Sequence, residues 1–159
     1  MSITSVFPHM SMQISITKAM CDHNGHLNVF YYSKIFGDAI GGFYSNELGF
    51  SEDYFESGFS TFSLEDNIKY IKECFVNDIV TARYRLHRIN KKLIHLVGVM
   101  IDKDNQICAI YETVLGHIDM RSRKTADMSD AFYQNLWEIM QQHTHSAINI
   151  PLRLEIKKL

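Results

Sequence analysis

A chain of 159 residues and 18.5 kDa can fill one core well but would leave two domains marginal, so a single domain over 1–159 is expected. With 46% apolar and 21% charged residues, 2 Pro and 8 Gly, the composition excludes a collagen, a linker or a disordered tail. Sixteen basic against eighteen acidic residues give a net charge of −2, so no global basic field exists to hold a nucleic-acid backbone. No uncharged stretch is long and apolar enough to predict a membrane span. The first seventeen residues lack Lys and Arg and are interrupted by Ser, Thr and Gln, which does not read as a signal peptide. Cys21, Cys74 and Cys108 are odd in number and widely spaced, which argues against a disulfide framework or a zinc knuckle. A reduced, cytoplasmic domain is the expectation.

Met10, Met12, Ile14 and Ile16 alternate with Ser11, Gln13, Ser15 and Thr17, the period of a half-buried strand. The turn formers Asp22-His23-Asn24-Gly25 follow. From Asn28 to about Leu48 the apolar spacing changes to threes and fours (Tyr32, Phe36, Ala39, Ile40, Phe43, Tyr44), with Asn28 as N-cap and Gly49 as stop. Gly37, Gly41 and Gly42 lie inside this helix, each at a cost of up to ~1 kcal/mol, and predict close approach of another backbone. After an irregular stretch at 52–58, strands are expected at 60–71, 80–87, 93–101 and 106–118. The last two are joined by a hairpin turn, Asp102-Lys103-Asp104-Asn105. That turn is no calcium loop, since Ile107 stands where the Gly belongs and Thr113 where the Glu belongs. Ser129 to His143 reads as a second helix with Phe132, Leu136, Trp137, Ile139 and Met140 on its apolar face. His143-Thr144-His145 then reads as an exposed helix end rather than a metal site. Ile148, Ile150, Leu152, Leu154 and Ile156 alternate with polar residues and Pro151, predicting a short edge strand. The order predicts an α+β domain with one long helix on an antiparallel sheet.

The densest polar cluster, Asp22-His23-Asn24-Gly25-His26-Leu27-Asn28, lies between the first strand and the helix N-terminus. Asp, Asn and Gly bend chains for local reasons, so an Asx turn with an N-cap accounts for it. Equally, it brings a carboxylate and helix N-terminal N–H groups to one place. The carboxylate can act as base or nucleophile while amides stabilise a developing oxyanion, a pairing that suits acyl transfer. A metal site from Asp22, His23 and His26 would lack a complete ligand set. Glu112 shares strand parity with Ile110 and Val114, so its side chain needs a partner if buried.

Asp22-x-x-Gly25-His26-Leu27-Asn28-x-x-x-Tyr32 resembles the opening motif of the 4-hydroxybenzoyl-CoA thioesterase-like hotdog proteins. More narrowly it resembles their betainyl-CoA, carnitine-metabolism branch, whose motif reads Asp-x-Asn-Gly-His-Met-Asn. Ser63-Leu64-Glu65-x-x-Ile68-x-Tyr70 resembles that branch's Thr-x-Glu segment, and 93–96 and 112–119 resemble its later strands. The likeness spans about residues 10 to 125 and departs at Leu27, Ser63 and Asn67, where the branch has Met, Thr and His. It implies a hotdog fold, an antiparallel sheet wrapped around one long α-helix, here with an additional C-terminal helix. It also implies a homodimer or dimer of dimers with sites at subunit interfaces, and acyl-CoA thioester hydrolysis without cofactor or metal, coenzyme A being part of the substrate. By position, Asp22 would be the nucleophile or the base on a water. Gly25 and the following amides would form the oxyanion site, His26 and Asn28 would orient the groups, and Glu65 would complete the site, from the partner subunit or from this one.

Because CoA carries phosphates, cations should flank the entrance, and two groups could serve by charge. Arg88, Lys91 and Lys92 sit at one hairpin, and Arg121, Arg123 and Lys124 follow the last main strand. Of these, Arg88, Lys91, Lys92 and Arg121 are the candidates. A trimethylammonium acyl group would call for aromatics among Phe30, Tyr31, Tyr32, Phe36 and Trp137, with Tyr32 and Phe36 foremost. Two rivals use the same groove: a hotdog hydratase or dehydratase, and a non-catalytic acyl-CoA binding module.

Overall fold

In chain order, the residues described by this computed structural model (2–145, 147 and 149–156) form α1 (Ile3–Val6), β1 (His9–Met10), β2 (Ile14–Ser15) and a 3-10 turn at Lys18–Met20. There follow α2 (Val29–Asn46), α3 (Glu52–Glu56), β3 (Phe59–Tyr70) and β4 (Ile79–Ile89). β5 (Leu93–Asp102), β6 (Ile107–Asp119), β7 (Lys124–Thr125) and α4 (Asp130–His143) complete the order. The strands make one antiparallel sheet in the order β1-β4-β5-β6-β3, with β2 also on β4 and β7 on β6. The sheet wraps α2, the hotdog arrangement that the resemblance implies.

Alternation decides which side chains meet the helix. Val80, Ala82, Tyr84 and Leu86 of β4, with Ile94, Leu96 and Met100 of β5, pack against Tyr32, Ile35, Phe36, Ala39 and Phe43 of α2. On the sheet's outer face Val97, Val99, Ile101 and Ile110 are covered by Val6, Phe7, Ile150 and Leu152. Burial on both faces explains why β5 reads as a nearly continuous apolar run. Tyr84 donates its hydroxyl to the Phe36 carbonyl at 2.7 Å, tying the sheet to the helix. Gly98 makes room for that ring, since a Cβ there would lie 2.6 Å from Tyr84 Cε1. Gly98→Ala should therefore push Tyr84 off its partner and cost roughly 2 kcal/mol, read as a lower melting temperature.

The glycines of α2 do not serve the predicted close approach. A Cβ at Gly37 or Gly41 would meet nothing within 4 Å, and one at Gly42 only His9 and Asn46 atoms at 3.9 Å. The sheet grips the opposite face, where Ala39 supplies the small residue. The first predicted strand is broken too. Ser11 Oγ accepts from the Ala82 N–H at 3.1 Å, interrupting the ladder between β1 and β2 and leaving Met10 and Met12 exposed. Within the irregular stretch, Ser51 caps α3 by accepting from the Tyr54 N–H.

The predicted C-terminal strand is not one; Ile148 and Lys157 lie outside the described residues, and 149–156 form an extended strap without ladder pairing. Leu154 and Ile156 cover Val114, while the Arg153 and Leu154 N–H groups donate to the two Glu112 carboxylate oxygens at 2.8 and 3.0 Å. Glu112, fully buried, also accepts from Asn67 Nδ2 at 3.2 Å. Removing the carboxylate in Glu112→Ala should cost about 2 kcal/mol, since the freed strap can rehydrate its amides. Chemical denaturation would read the loss, and faster trypsin cleavage at Arg153 would localise it. A further correction concerns His143, which is buried rather than exposed. β1 ends short of Leu86, whose N–H donates instead to His143 Nδ1 at 3.0 Å.

Candidate functional site

The loop before α2 is fixed by its own backbone. Cys21 and Leu27 form a bridge, the Asp22 N–H donates to the His26 carbonyl at 3.0 Å, and the Gly25 N–H donates to the Asp22 carbonyl at 3.0 Å. Gly25 has φ +83°, a conformation that side chains disfavour, which is why the turn carries glycine. Outside support comes from the connection between β3 and β4: the Leu27 N–H donates to the Cys74 carbonyl at 2.8 Å, and His26 bridges Phe75. No period or motif in the sequence marked Glu73, Cys74 or Phe75 as part of this site.

Asp22 Oδ1 accepts from the Asn24 N–H at 2.8 Å, leaving Oδ2 toward His26 Nδ1 at 3.8 Å. His26 Nε2 lies 3.9 Å from Glu73 Oε1, so the ring stands between two carboxylates without a direct hydrogen bond to either. Both side chains are partly exposed, at 20% for Asp22 and 29% for His26, and a substrate can reach them. Asn28 caps α2 by accepting from the Phe30 N–H at 2.9 Å, while the Tyr31 N–H donates to the Asn28 carbonyl. With the Phe30 and Tyr31 N–H groups spent on Asn28, the N–H of Val29, the first residue of α2, has no backbone carbonyl partner among the described residues. Around the loop, Val29, Phe30, Tyr70, Phe75, Val76 and Ile79 expose large apolar side chains.

Other expected site residues lie elsewhere. Phe36 is fully buried between Tyr84 and Tyr111, and Tyr32 is buried against Tyr70. Both belong to the core rather than to a substrate pocket, because they sit on the helix stripe that faces the sheet. Burial pushes the Tyr32 hydroxyl well above the ordinary tyrosine range. Of the aromatic candidates, exposed Phe30 and half-buried Tyr31 stand beside the loop, whereas Trp137 is on α4. Glu65 pairs with Val114 beyond a bulge in β3 and shares an outer-face cavity of about 460 Å³ with Lys92 and strap residue Glu155. Within one chain it does not meet Asp22. Nor do the cations. The loop lies where β4 begins, the Ile16 N–H bonding to the Asp78 carbonyl, and β4 runs roughly 30 Å to Arg88 at the far end. Lys91 pairs with Asp130 at 2.5 Å and Lys92 with Asp127 at 3.7 Å, while Arg121 sits in the turn after β6. Among the described residues no group of three or more His, Cys, Asp or Glu is arranged to hold a metal ion, and no helix is long and apolar enough to cross a membrane.

A family model described as the thioesterase-like superfamily matches residues 16–136. A curated relative from Agrobacterium fabrum, L-carnitine dehydrogenase/betainyl-CoA thioesterase, is 25% identical over 130 residues, covering 82% of this chain and 27% of its own length. The protein of that name from a Rhizobium species is 22% identical over 139 residues, 87% of this chain and 28% of the relative. The chain thus spans about a quarter of the length of these relatives. Among solved structures, a Staphylococcus aureus protein in complex with CoA superposes with TM-score 0.76 at 21% identity, covering 94% of this chain and 95% of that one. The DHNA-CoA thioesterase of the same organism gives 0.71 at 17% identity, over 88% and 97%. At these identities the structural likeness speaks for the fold.

Proposed function

Since the chain belongs to the thioesterase-like superfamily, we propose that it hydrolyses an acyl-CoA thioester with Asp22 as nucleophile or as base on a water. The observation that carries this reading is the position of Asp22 Oδ2, partly exposed at an apolar mouth beside the N-terminus of α2. Carbon–sulfur cleavage needs a carboxylate to attack or to deprotonate water, and a donor for the carbonyl oxygen as it becomes negative. We assign that donor to the Val29 N–H. Gly25 serves by shaping the turn, because its own N–H is spent on the Asp22 carbonyl. His26 orients the carboxylate, and Asn28 contributes by holding the helix end in place. No cofactor enters this chemistry.

The partner subunit enters for a geometric reason. β3 is a twelve-residue strand at the sheet edge, paired only with β6 among the described residues, and such an edge is a template for another strand. Antiparallel pairing of two β3 strands would set the Tyr70 end of one protomer, where the Asp22 loop lies, against the Phe59 end of its partner. The partner would bring Arg121, Lys92 and Glu65 toward that loop, completing a site that one chain leaves divided. The homodimer, or a dimer of dimers, is thus part of the proposal, as is a reduced, cytoplasmic setting.

For the acyl group we favour a quaternary ammonium ester, as in the relatives' name. Exposed Phe30 and Phe75 with Glu73 at the mouth support it by cation–π and charge attraction. The test is thiol release from short aliphatic, long aliphatic, aromatic and betainyl CoA esters, comparing wild type with Asp22→Asn. Asp22-dependent release fastest with the betainyl ester is expected. Binding without release from any ester would leave a binding module or a hydratase instead.

A further inference from the structure

Cys74 and Cys108 are distant in sequence and meet where the connection from β3 to β4 passes the start of β6. The Cys108 carbonyl accepts from the Ile71 and Lys72 N–H groups at 2.8 and 3.0 Å, which holds that connection against β6. The two thiols are in hydrogen-bond contact, and the Tyr32 hydroxyl also donates to the Cys74 sulfur. Both cysteines are free thiols, and each is only 1% exposed. Contact with Cys108 above all, opposed by desolvation and helped by Tyr32, lowers the Cys74 thiol to about 7. Much of it is therefore thiolate at neutral pH, the form that reacts. A buried pair stays inert unless something reaches it. Here a cavity of about 370 Å³ has Cys108 in its wall, with Lys72, Glu73 and Asp78 of the connection and Asp102 and Asp104 of the β5–β6 hairpin. Its four carboxylates outnumber its two lysines, so it admits a small neutral oxidant more readily than an anionic disulfide.

We propose that Cys74 and Cys108 form a reversible disulfide, with a peroxide as oxidant, and that this bond acts on the Asp22 loop. The Cys74 thiolate attacks one peroxide oxygen and the O–O bond breaks. The departing hydroxide takes up the proton that the thiol had released and leaves as water, with a sulfenic acid on Cys74. The Cys108 sulfur then attacks the sulfenic sulfur, and its proton departs with the hydroxyl as a second water. Two thiols are oxidised and one peroxide is reduced. A disulfide sets its sulfurs about 2 Å apart, well inside thiol contact, so the two segments must close up. β6 is paired on both sides from Ala109 onward, so the connection is the part that moves. That connection carries the Cys74 carbonyl, which accepts from the Leu27 N–H at 2.8 Å, and the Phe75 bridge to His26. The consequence for turnover rests on the thioesterase reading; the bond and the movement do not.

After dilute hydrogen peroxide, peptide mapping should find Cys74 joined to Cys108, and dithiothreitol should undo the bond. In the oxidised form hydrogen exchange over residues 22–28 should quicken. Thiol release should fall by roughly tenfold to a hundredfold, the scale of a misplacement of about 1 Å at a site. Cys108→Ala should keep the reduced turnover and lose all three responses. The mapping needs no variant, so it decides the bond even if Cys108→Ala does not fold. Sulfinic acid at either cysteine in place of the bond, or a bond through the half-buried Cys21, would overturn the pair. A mapped bond that leaves exchange over the loop unchanged, or turnover unchanged in an active enzyme, would overturn its action on the site. A reduced protein that releases thiol from no ester, yet forms the bond and quickens exchange, would fail the thioesterase reading alone.

Discussion

Asp22→Asn should lower thiol release by about a thousandfold, within the 10²–10⁴ range that a positioned acid–base group contributes, and leave the fold in place. The substitution keeps the oxygen that accepts the Asn24 N–H, and with it the turn that the Asp22 and Gly25 backbone bonds already close. What disappears is the negative charge on Oδ2, the carboxylate oxygen that the turn leaves free to attack a carbonyl or take a proton from water. A thousandfold corresponds to about 4 kcal/mol of transition-state free energy, far more than the change of one hydrogen bond at a half-exposed side chain. The unfolding midpoint should accordingly shift little. Full turnover in the variant would remove Asp22 from the chemistry, and a large fall in stability would make lost activity uninformative. His26→Gln should fall between these limits, because the ring lies 3.8 Å from the carboxylate and acts on its orientation.

Elements with one unambiguous period were legible from the sequence. β4 alternates cleanly because its inner residues meet α2 while Arg83 and Arg85 point outward, and α2 reads as a helix because Tyr32, Phe36, Ala39 and Phe43 share a stripe. The C-terminal segment alternates just as well and is not a strand. A period of two reports that one side of an extended chain is buried, and it cannot say whether the backbone pairs with a ladder. Here the segment lies across the sheet's outer face, Pro151 has no N–H to give, and the Arg153 and Leu154 amides go to a carboxylate instead. Glycine spacing misled for a related reason, since small residues permit close approach without requiring it, and Gly37 and Gly41 stand open. Of the candidate site, the Asp22–Asn28 loop was readable because its geometry is local. Tyr32 and Phe36 could not be sorted into core or pocket until the burying face of α2 was known. Glu73, Cys74 and Phe75 gave no signal, as their contribution is a carbonyl and a bridge between segments far apart in sequence.

The same outer face sets the strongest expected dependence on pH. Desolvation, with the nearby Arg88 charge, lowers His95 from 6.5 to about 4. His87, whose ring centroid is 5.0 Å from that of His95, is lowered to about 4 by burial and then by His95 and Arg85. Both rings are therefore neutral in the folded protein at pH 6, while in the unfolded chain they take up protons below about 6.5. Between those values the unfolded state binds more protons, so the stability present above pH 6.5 is lost as pH falls toward 4. For His95, nearly inaccessible to solvent, the loss amounts to about 3 kcal/mol over the window. The contribution of His87 is not simply additive, because each charged ring opposes the other. Glu112, with Oε2 3.3 Å from His95 Nε2, is the carboxylate against the pair among the described residues, and it is already committed to Asn67 and the strap. Urea midpoints measured at pH 7.5, 6.0 and 5.0 should fall steeply, and His95→Gln, which cannot take up a proton, should flatten the slope. Wild-type and variant curves that run parallel through this range would mean that the outer-face histidines keep access to water and do not resist protonation.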